Sequence, residues 1–260
     1  MKEELTWQSI TAGLTTLIIG KNVYYYPQVS STMEIARQKM LEDAVEGTLI
    51  IAGEQIEGRG RLERRWQSPK GCIAMSIIMY PQIDYLPRLI MLASLAVVNT
   101  IRDVAGIESN IKWPNDVLIN GRKVSGILVE SGIKDKNSCY ATIGIGINVN
   151  FEAGCLEEVA LPATSLSDEL GRQVSRLEVV RKLLQEIEKL YLSAKESTTV
   201  FQKWRDNLET LGRQIDVRSG ESVYSGLAES VAEDGSLNLR LVDGSLKKIT
   251  AGDVTLQNQP

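Results

Sequence analysis

A chain of 260 residues that is 43% hydrophobic is long enough for one large globular domain and a small second one. Its formal net charge of −4 argues against general nucleic-acid binding, for which a basic domain is typical. The sequence contains no histidine, which excludes Ser-His-Asp and Cys-His machinery and every histidine metal site.

The sequence also indicates where the protein works. No apolar run reaches the roughly 20 residues that span a bilayer, and the start, MKEELTWQSI, has no apolar signal core. The cysteines (Cys72, Cys139 and Cys155) are odd in number and form no CxxC pair. We therefore expect a cytoplasmic protein with reduced thiols and no membrane partner.

The first half of the chain alternates predicted helices and strands. Ser31 and Glu34 have the spacing of a capping box, which predicts a helix from there to about residue 42. Apolar runs predict buried strands at 47–55 and 72–80. The long apolar segment 86–104 has helical spacing and predicts a core helix.

The middle of the chain predicts a hairpin and a glycine-lined strand. Asn120-Gly121 is a strong turn signal between 117–119 and 123–130. Simple alternation along the second run places Lys123, Ser125 and Ile127 on one face and Val124, Gly126 and Leu128 on the other. Residues 140–150 alternate between an apolar face and a bare face that carries Gly144 and Gly146. Two amphipathic helices are predicted at 177–193 and about 197–210.

The composition changes near Gly212. Short alternating runs follow, separated by Ser219-Gly220, Asp234-Gly235 and Asp243-Gly244, and this pattern is typical of a small β-barrel. We predict two domains, 1–210 and 211–260. The larger one is expected to be α+β, a mixed or antiparallel sheet with helices packed on one face.

Residues 58–71, GRGRLERRWQSPKG, concentrate positive charge in an acidic protein. A solvated basic turn is the simplest interpretation. However, Gly58 and Gly60 bracket Arg59 and allow a backbone to approach a ligand closely, and arginine grips carboxylates and phosphates with two parallel bonds. The segment has neither the GxxxxGK[ST] nor the GxGxxG pattern, so it predicts an anion-binding loop of another kind.

Two further segments have a structural and a functional interpretation. KWPND (112–116) is either a plain proline turn or a site that presents an amide and a carboxylate at a sheet edge. GIGIN (144–148) is either close backbone packing or a slot for a flat ligand, with Asn148 at its end. Lys123 is either a solvated strand lysine or a cation with room beside it, because Ser125 and Gly126 are small.

In order and spacing, these segments resemble the biotin–protein ligases of the biotin–[acetyl-CoA carboxylase] ligase type. The resemblance covers most of the chain and rests on SST (30–32), GEQ (53–55), GRGRxxRxW (58–66), SPKG (68–71), KWPNDV (112–117), GRKVSGILVE (121–130) and GIGINVN (144–150). It implies a class II synthetase-like catalytic domain followed by an SH3-like C-terminal domain.

The resemblance also implies a reaction. The biotin carboxylate attacks ATP to give biotinyl-5′-AMP and pyrophosphate, and a lysine of a biotin carboxyl carrier protein then takes the biotinyl group. Mg²⁺ would accompany ATP, held mainly by the phosphates, so no metal-binding residues are expected. Arg59, Arg61 and Lys123 would be catalytic because they offset the repulsion between carboxylate and phosphate.

The resemblance assigns the remaining site residues to two ligands. The biotin site would comprise Ser31, Thr32, Gln55, Gly58, Arg59, Arg61, Lys123, Gly126, Ile127, Gly144 and Gly146. The ATP site would comprise Arg64, Trp66, Asn115, Asp116 and Asn148, with Trp66 covering the adenine. The sequence departs from the family at Met33, where asparagine is more usual, and at Leu62-Glu63, where many relatives have a basic residue and glycine.

Other functions remain to be weighed. A lipoate–protein ligase or octanoyl transferase would share the fold, a non-catalytic biotin sensor would keep the pocket, and a nucleic-acid module would need a basic C-terminal segment. Only 29 residues precede the SST motif, fewer than a helix-turn-helix domain needs, so we expect no DNA binding. The sequence does not decide whether the protein forms a homodimer.

Overall fold

The computed structural model describes residues 5–133, 139–156, 162–194 and 199–256. Its main sheet has seven strands in the order β1-β2-β5-β9-β8-β7-β6. β1 and β2 are parallel, and every other neighbouring pair is antiparallel, so the sheet is mixed as predicted. The first nine strands are β1 Val23–Tyr26, β2 Leu49–Ala52, β3 Gln55–Arg59, β4 Arg65–Ser68, β5 Ile73–Met79, β6 Asn110–Lys112, β7 Asp116–Ile119, β8 Arg122–Ile133 and β9 Cys139–Ile147.

Helices cover both faces of this sheet, not one face as expected. The helices are α1 Trp7–Thr11, α2 Thr32–Leu41, α3 Leu86–Ala105, α4 Leu166–Leu170, α5 Arg176–Ala194 and α6 Thr199–Asp206. α3 packs on β8 and β9, and α5 and α6 pack on α3. On the opposite face, Ala36 of α2 packs with Ile50 and Ile78. The sequence reason is that β2 and β5 are apolar at consecutive positions and are buried on both sides.

The start of α2 differs from the predicted capping box. Ser31 is the N-cap, but its side chain makes no capping hydrogen bond. Glu34 instead accepts a hydrogen bond from Ser30 Oγ at 3.0 Å. Ser31 is only 1% exposed, and its hydroxyl has no hydrogen-bond partner within the described residues. The serine is therefore placed for a partner other than its own helix.

The predicted β7–β8 hairpin is confirmed, but its register is irregular. Asn120 and Gly121 form the turn with φ values of 50° and 73°. A bulge then follows, because Leu118 pairs with Lys123 while Val117 pairs with Ser125. The predicted alternation is therefore wrong at Lys123. A Cβ built on Gly126 would lie 3.3 Å from Lys123 Nζ, so these two residues share a face, while Val124 and Ile127 are buried in the core.

The C-terminal segment forms a second, antiparallel sheet of five strands. These are β10 Gln214–Ser219, β11 Ser222–Val231, β12 Leu237–Leu241, β13 Leu246–Ile249 and β14 Asp253–Leu256, in the order β13-β12-β11-β10-β14. Ile215 and Leu237 of this sheet belong to the same apolar core as α3. In addition, Trp113 Nε1 donates a 2.8 Å hydrogen bond to the carbonyl of Gly235 in the β11–β12 turn. The KWPND segment is therefore anchored on the second sheet.

Among the described residues, no helix has both the length and the apolar character needed to cross a membrane.

Candidate active site

A cleft of about 640 Å³ lies on the α2 face of the main sheet. The β3–β4 hairpin, the start of α2, residues 112–116, β8, β9 and β14 all contribute to its walls. It brings together every site residue predicted from the sequence except Gly58, namely Ser31, Thr32, Gln55, Arg59, Arg61, Arg64, Trp66, Asn115, Asp116, Lys123, Gly126, Ile127, Gly144, Gly146 and Asn148. One cavity thus brings together Ser31 and Asn148, which are about 117 positions apart in the chain.

The arginine-rich segment is a β-hairpin, not an irregular loop. Arg59 of β3 pairs with Arg65 of β4, and a single 3₁₀ turn, Arg61–Glu63, joins the two strands. Gly58 lies behind the cleft wall, where a Cβ would come within 2.2 Å of Gln55 Nε2 and 2.4 Å of the Trp66 carbonyl oxygen. A side chain there would force Gln55 or Trp66 to move, so this glycine keeps the hairpin closed on the cleft.

One end of the cleft is polar and uncharged. Gln55 Oε1 accepts hydrogen bonds from the Thr32 amide at 2.9 Å and from the Thr32 hydroxyl at 3.2 Å. Ser76 Oγ in turn donates to the Thr32 hydroxyl at 2.8 Å. Since Ser31 Oγ is buried without a partner in the described structure, this end offers hydrogen bonds to a small neutral group.

The floor of the cleft is the bare face of β9, as predicted. A Cβ on Gly144 would lie 2.7 Å from Met33 Sδ, and a Cβ on Gly146 would lie 2.3 Å from the Trp66 ring. Trp66 also covers Gly126, where a Cβ would be 3.1 Å from Cζ3. Alternate strand residues are about 6.6 Å apart, so Met33, Trp66 and then Asn148 follow one another along the strand. Trp66 therefore separates the polar end from the far end.

The far end of the cleft is charged. Lys123 Nζ lies 2.6 Å from Asp116 Oδ1 and 5.4 Å from the centroid of the Trp66 ring. Arg64 forms an ion pair with Asp253 of β14. Arg61 Nη1 donates to Asn115 Oδ1 at 3.1 Å and to the Gly252 carbonyl at 3.2 Å.

Three further predicted residues, Asn115, Asn148 and Arg59, form hydrogen bonds or an ion pair between the elements that form the walls of the cleft. Asn115 Nδ2 donates to the Ile127 carbonyl at 2.8 Å, which fixes the amide that receives Arg61. Asn148 Nδ2 donates to the Thr164 carbonyl at 2.9 Å and supports the backbone beside Lys123. Arg59 also lines the cleft and forms a 3.1 Å ion pair with Glu34 of α2.

Burial changes the acid–base properties of two cations in this cleft. Burial lowers the pKa of the Arg61 guanidinium, against the opposing effect of Asp253 and Asp116. The pKa of the Lys112 ammonium is likewise lowered by burial, with Asp116 acting in the other direction. Poorly solvated cations gain the most when an anion binds beside them.

Some cleft residues were not identified from the sequence. Ser76 lies in an apolar strand, and only its position opposite Gly144 in the β5–β9 register places it behind Thr32. Lys112 stands in the KWPND motif but was not singled out. Asp253, Val254 and Thr255 come from β14 of the second sheet, and their only sequence signal was a Gly-Asp pair before a short strand.

The described residues contain no group of three or more Asp, Glu, Cys or His side chains that could hold a metal ion. The two carboxylates of the charged end, Asp116 and Asp253, are each paired with a cation.

Comparison with known proteins agrees with this architecture. Residues 25–148 match the biotin/lipoate A/B protein ligase family, and residues 210–256 match the biotin protein ligase C-terminal domain. The biotin protein ligase of Aquifex aeolicus, solved in complex with biotin and ATP, is 30% identical, with a TM-score of 0.74 over 92% of this chain and 100% of that one. The fold is thus that of the biotin and lipoate ligases.

Curated relatives narrow this class. The bifunctional ligase/repressor BirA of Bacillus subtilis is 36% identical over 259 residues, which cover 97% of this chain and 79% of that protein. The biotin–[acetyl-CoA-carboxylase] ligase of Paracoccus denitrificans is 33% identical over 199 residues, which cover 74% and 83% respectively. The chain belongs to the biotin–protein ligases.

Proposed function

We propose that this protein is an ATP-dependent biotin–protein ligase that works in two half-reactions within one cleft. In the first, a biotin carboxylate oxygen bonds to the α-phosphorus of ATP, and pyrophosphate leaves with the electron pair of the broken bond. In the second, a lysine amine of an acceptor protein attacks the acyl carbon, and AMP leaves. The observation that carries the proposal is a single cleft with a neutral polar end and a cationic end.

The geometry supports distinct roles for the two ends. The neutral ureido ring of biotin suits Ser31, Thr32 and Gln55. We assign the flat bicycle to the face of Gly144 and Gly146, which it would reach when the Met33 and Trp66 side chains that cover these glycines move aside. We assign the nucleotide to the end that contains Arg64, Asn115, Asp116 and Asn148. The biotin carboxylate then meets the α-phosphate near Trp66, beside Lys123 and Arg61.

The first half-reaction requires no general base, because a carboxylate is already a nucleophile. Its main obstacle is repulsion between two anions, which Arg61 and Lys123 offset by charge. Aligning the two groups in one cleft supplies a further part of the rate enhancement. The histidine-free composition is therefore compatible with catalysis.

ATP enters as its Mg²⁺ complex in this proposal. The paired state of Asp116 and Asp253 fits a metal that is bound mainly by the phosphates and only secondarily by protein groups. Since the reaction consumes ATP and Cys72 and Cys139 are free thiols, we place the enzyme in the cytoplasm.

The acceptor is proposed to be a biotin carboxyl carrier protein or domain. β7 pairs with β8 only as far as Gly126, whereas β9 pairs with β8 as far as Ile133. Within the described structure, residues 128–133 of β8 therefore present an unpaired strand edge near the cleft. Such an edge can receive a strand of a partner through main-chain hydrogen bonds.

Pyrophosphate release from Mg²⁺-ATP tests this function, with biotin, lipoate and octanoate compared as the added acid and no acceptor present. Release that depends on biotin alone is the expected result. Release with lipoate or octanoate would assign the protein to the lipoate–protein ligase or octanoyl transferase branch of the family. If the folded protein binds biotin but releases no pyrophosphate with any acid, the ligase proposal fails in favour of a biotin sensor.

A further inference from the structure

Lys112 is an unusual lysine within the charged end of the cleft. It is the last residue of β6, it lines the cleft, and it is only 5% exposed. Within the described part of the chain, its ammonium group has no hydrogen bond and no ion pair, in contrast to Lys123. A buried ammonium without a partner destabilises the folded state, so such groups are rare in proteins unless an anion binds beside them.

The charges around Lys112 are not balanced by the described residues. The charged end contains four cations, Arg61, Arg64, Lys112 and Lys123, but two carboxylates, Asp116 and Asp253. Asp116 pairs with Lys123, and Asp253 pairs with Arg64. Arg61 bonds to the neutral acceptors Asn115 Oδ1 and Gly252 O. Two cations are therefore left without a counter-charge here, and both are poorly solvated.

These two cations occupy the same region. Asp116, Asp253 and Arg64 all act electrostatically on Lys112, and the same three residues act on Arg61. Lys112 is directly opposite Asp116 in the β6–β7 register. The surplus positive charge is therefore localised beside the Lys123–Asp116 pair, where it can attract a multiply charged anion.

We propose that Lys112, together with Arg61, binds the β- and γ-phosphates of ATP and the pyrophosphate that they become. This inference rests on the proposed function and extends it to the leaving group. As the oxygen–phosphorus bond to the biotin carboxylate forms, the bond from the α-phosphorus to the bridging oxygen breaks, and charge accumulates on that oxygen. The Lys112 ammonium stabilises that charge, and no proton transfer is needed.

The reverse reaction tests this role directly, because it starts from pyrophosphate and biotinyl-5′-AMP and yields ATP. Lys112→Met removes the charge and keeps much of the side-chain volume. We expect this variant to raise the KM for pyrophosphate at least about tenfold, as for loss of one charge-assisted contact. Lys112→Arg keeps the charge and should restore much of the affinity.

A second readout separates a pyrophosphate contact from a general structural role. Transfer of biotin from supplied biotinyl-5′-AMP to an acceptor involves no pyrophosphate, so Lys112→Met should change its rate less than about twofold if the contact is the cause. An unchanged KM for pyrophosphate, or an equal loss in both half-reactions, would overturn the inference. If the wild-type protein makes no ATP from pyrophosphate and biotinyl-5′-AMP, the proposed function itself fails.

The free protein provides a third readout. Removing a buried charge that has no partner should stabilise the folded state, so the Tm of Lys112→Met without ligands is expected to rise by about 2–4 °C. A lower Tm would contradict the charge surplus from which the inference was drawn.

Discussion

In the proposed reaction, Lys123 is the cation best placed to act on the reacting groups. Its ammonium is held between Asp116, at 2.6 Å, and the Trp66 ring. Asp116 fixes the position of the lysine before the substrates arrive, and the side chain remains 25% exposed to the cleft. An anion in the cleft can therefore reach Lys123 without disrupting the core.

Replacing Lys123 with alanine should abolish most adenylation while the fold persists. Loss of one charge-stabilising group typically costs about 10²–10³ in rate, and biotin-dependent pyrophosphate release should fall accordingly. Lys182→Ala is a matched control, because Lys182 of α5 forms a similar 2.7 Å pair with Asp103 of α3, on the face of the sheet opposite the cleft. Near-normal pyrophosphate release by folded Lys123→Ala would refute the assigned role.

Cys72 and Cys139 are expected to be chemically inert in the folded state. Burial raises the pKa of the Cys72 thiol to about 12, although nearby Arg176 acts in the opposite direction. Burial also raises the pKa of Cys139. The reactive thiolate is therefore scarce at pH 8. Peptide mapping after brief treatment with iodoacetamide should find both residues unmodified unless the protein is first unfolded, and labelling of native Cys72 would contradict the burial.

The sequence identified most cleft residues but not all of their contacts. Ser31, Gln55, Arg61 and Lys123 were recognised because their motifs are local. The partner of Arg64, in contrast, is Asp253, almost 190 positions later, and no local pattern encodes that contact. Ser31 also shows how a local pattern can mislead. It has the spacing of a capping box with Glu34, but its hydroxyl makes no capping hydrogen bond and the residue lines the cleft.

At the scale of elements, the β3–β4 hairpin has few stabilising contacts of its own. An isolated two-stranded hairpin is marginally stable at best in water. Here Trp66 packs on Gly146, and Arg61 and Arg64 attach the hairpin tip to the second sheet. These contacts involve partly exposed side chains, so the hairpin is expected to open more readily than the main sheet.

Ligand binding should therefore protect residues 57–67. Trypsin can cut after Arg59, Arg61, Arg64 or Arg65, and we expect biotin to slow cleavage at these sites because the closed hairpin covers the bound ligand. Limited proteolysis with and without biotin, followed by mass spectrometry of the fragments, measures this. Equal cleavage rates in the two samples would argue against closure over the ligand.

The strand pattern predicted the elements better than their registers. The apolar alternation located β9 and its glycine face, and Asn120-Gly121 located the β7–β8 turn. The bulge after Lys123 was not predicted. One extra residue moves every later side chain of the strand to the opposite face of the sheet, and the amino-acid composition of the strand gives no sign of it. The hairpin was missed because its strands are polar, and their pairing depends on Gly58 and on contacts with other elements.

The second sheet is part of the candidate active site and not a separate appendage. It holds Trp113 through Gly235, accepts a hydrogen bond from Arg61 through Gly252, and pairs with Arg64 through Asp253. The sequence predicted the mixed main sheet and a small β-structure after it. It did not predict these connections, because they join elements that are far apart in the chain.

Weakening one such connection should loosen the hairpin. The Arg64–Asp253 pair is about half exposed on the arginine side, so its loss in Asp253→Asn should cost about 0.2–1 kcal/mol. Tryptic cleavage of residues 57–67 in the free protein should then be up to about fivefold faster. Asp243→Asn, in an exposed turn of the same sheet, serves as the control. Equal cleavage rates in the two variants would show that the pair does not hold the hairpin.

Biotin labelled with oxygen-18 in its carboxylate would show whether this carboxylate attacks the α-phosphorus of ATP. The protein is incubated with labelled biotin, Mg²⁺-ATP and hydroxylamine, which traps the activated acyl group. The masses of AMP and pyrophosphate are then measured by mass spectrometry. AMP is expected to carry one labelled oxygen and pyrophosphate none, because the attacking oxygen leaves with AMP. AMP without the label would rule out attack by the biotin carboxylate.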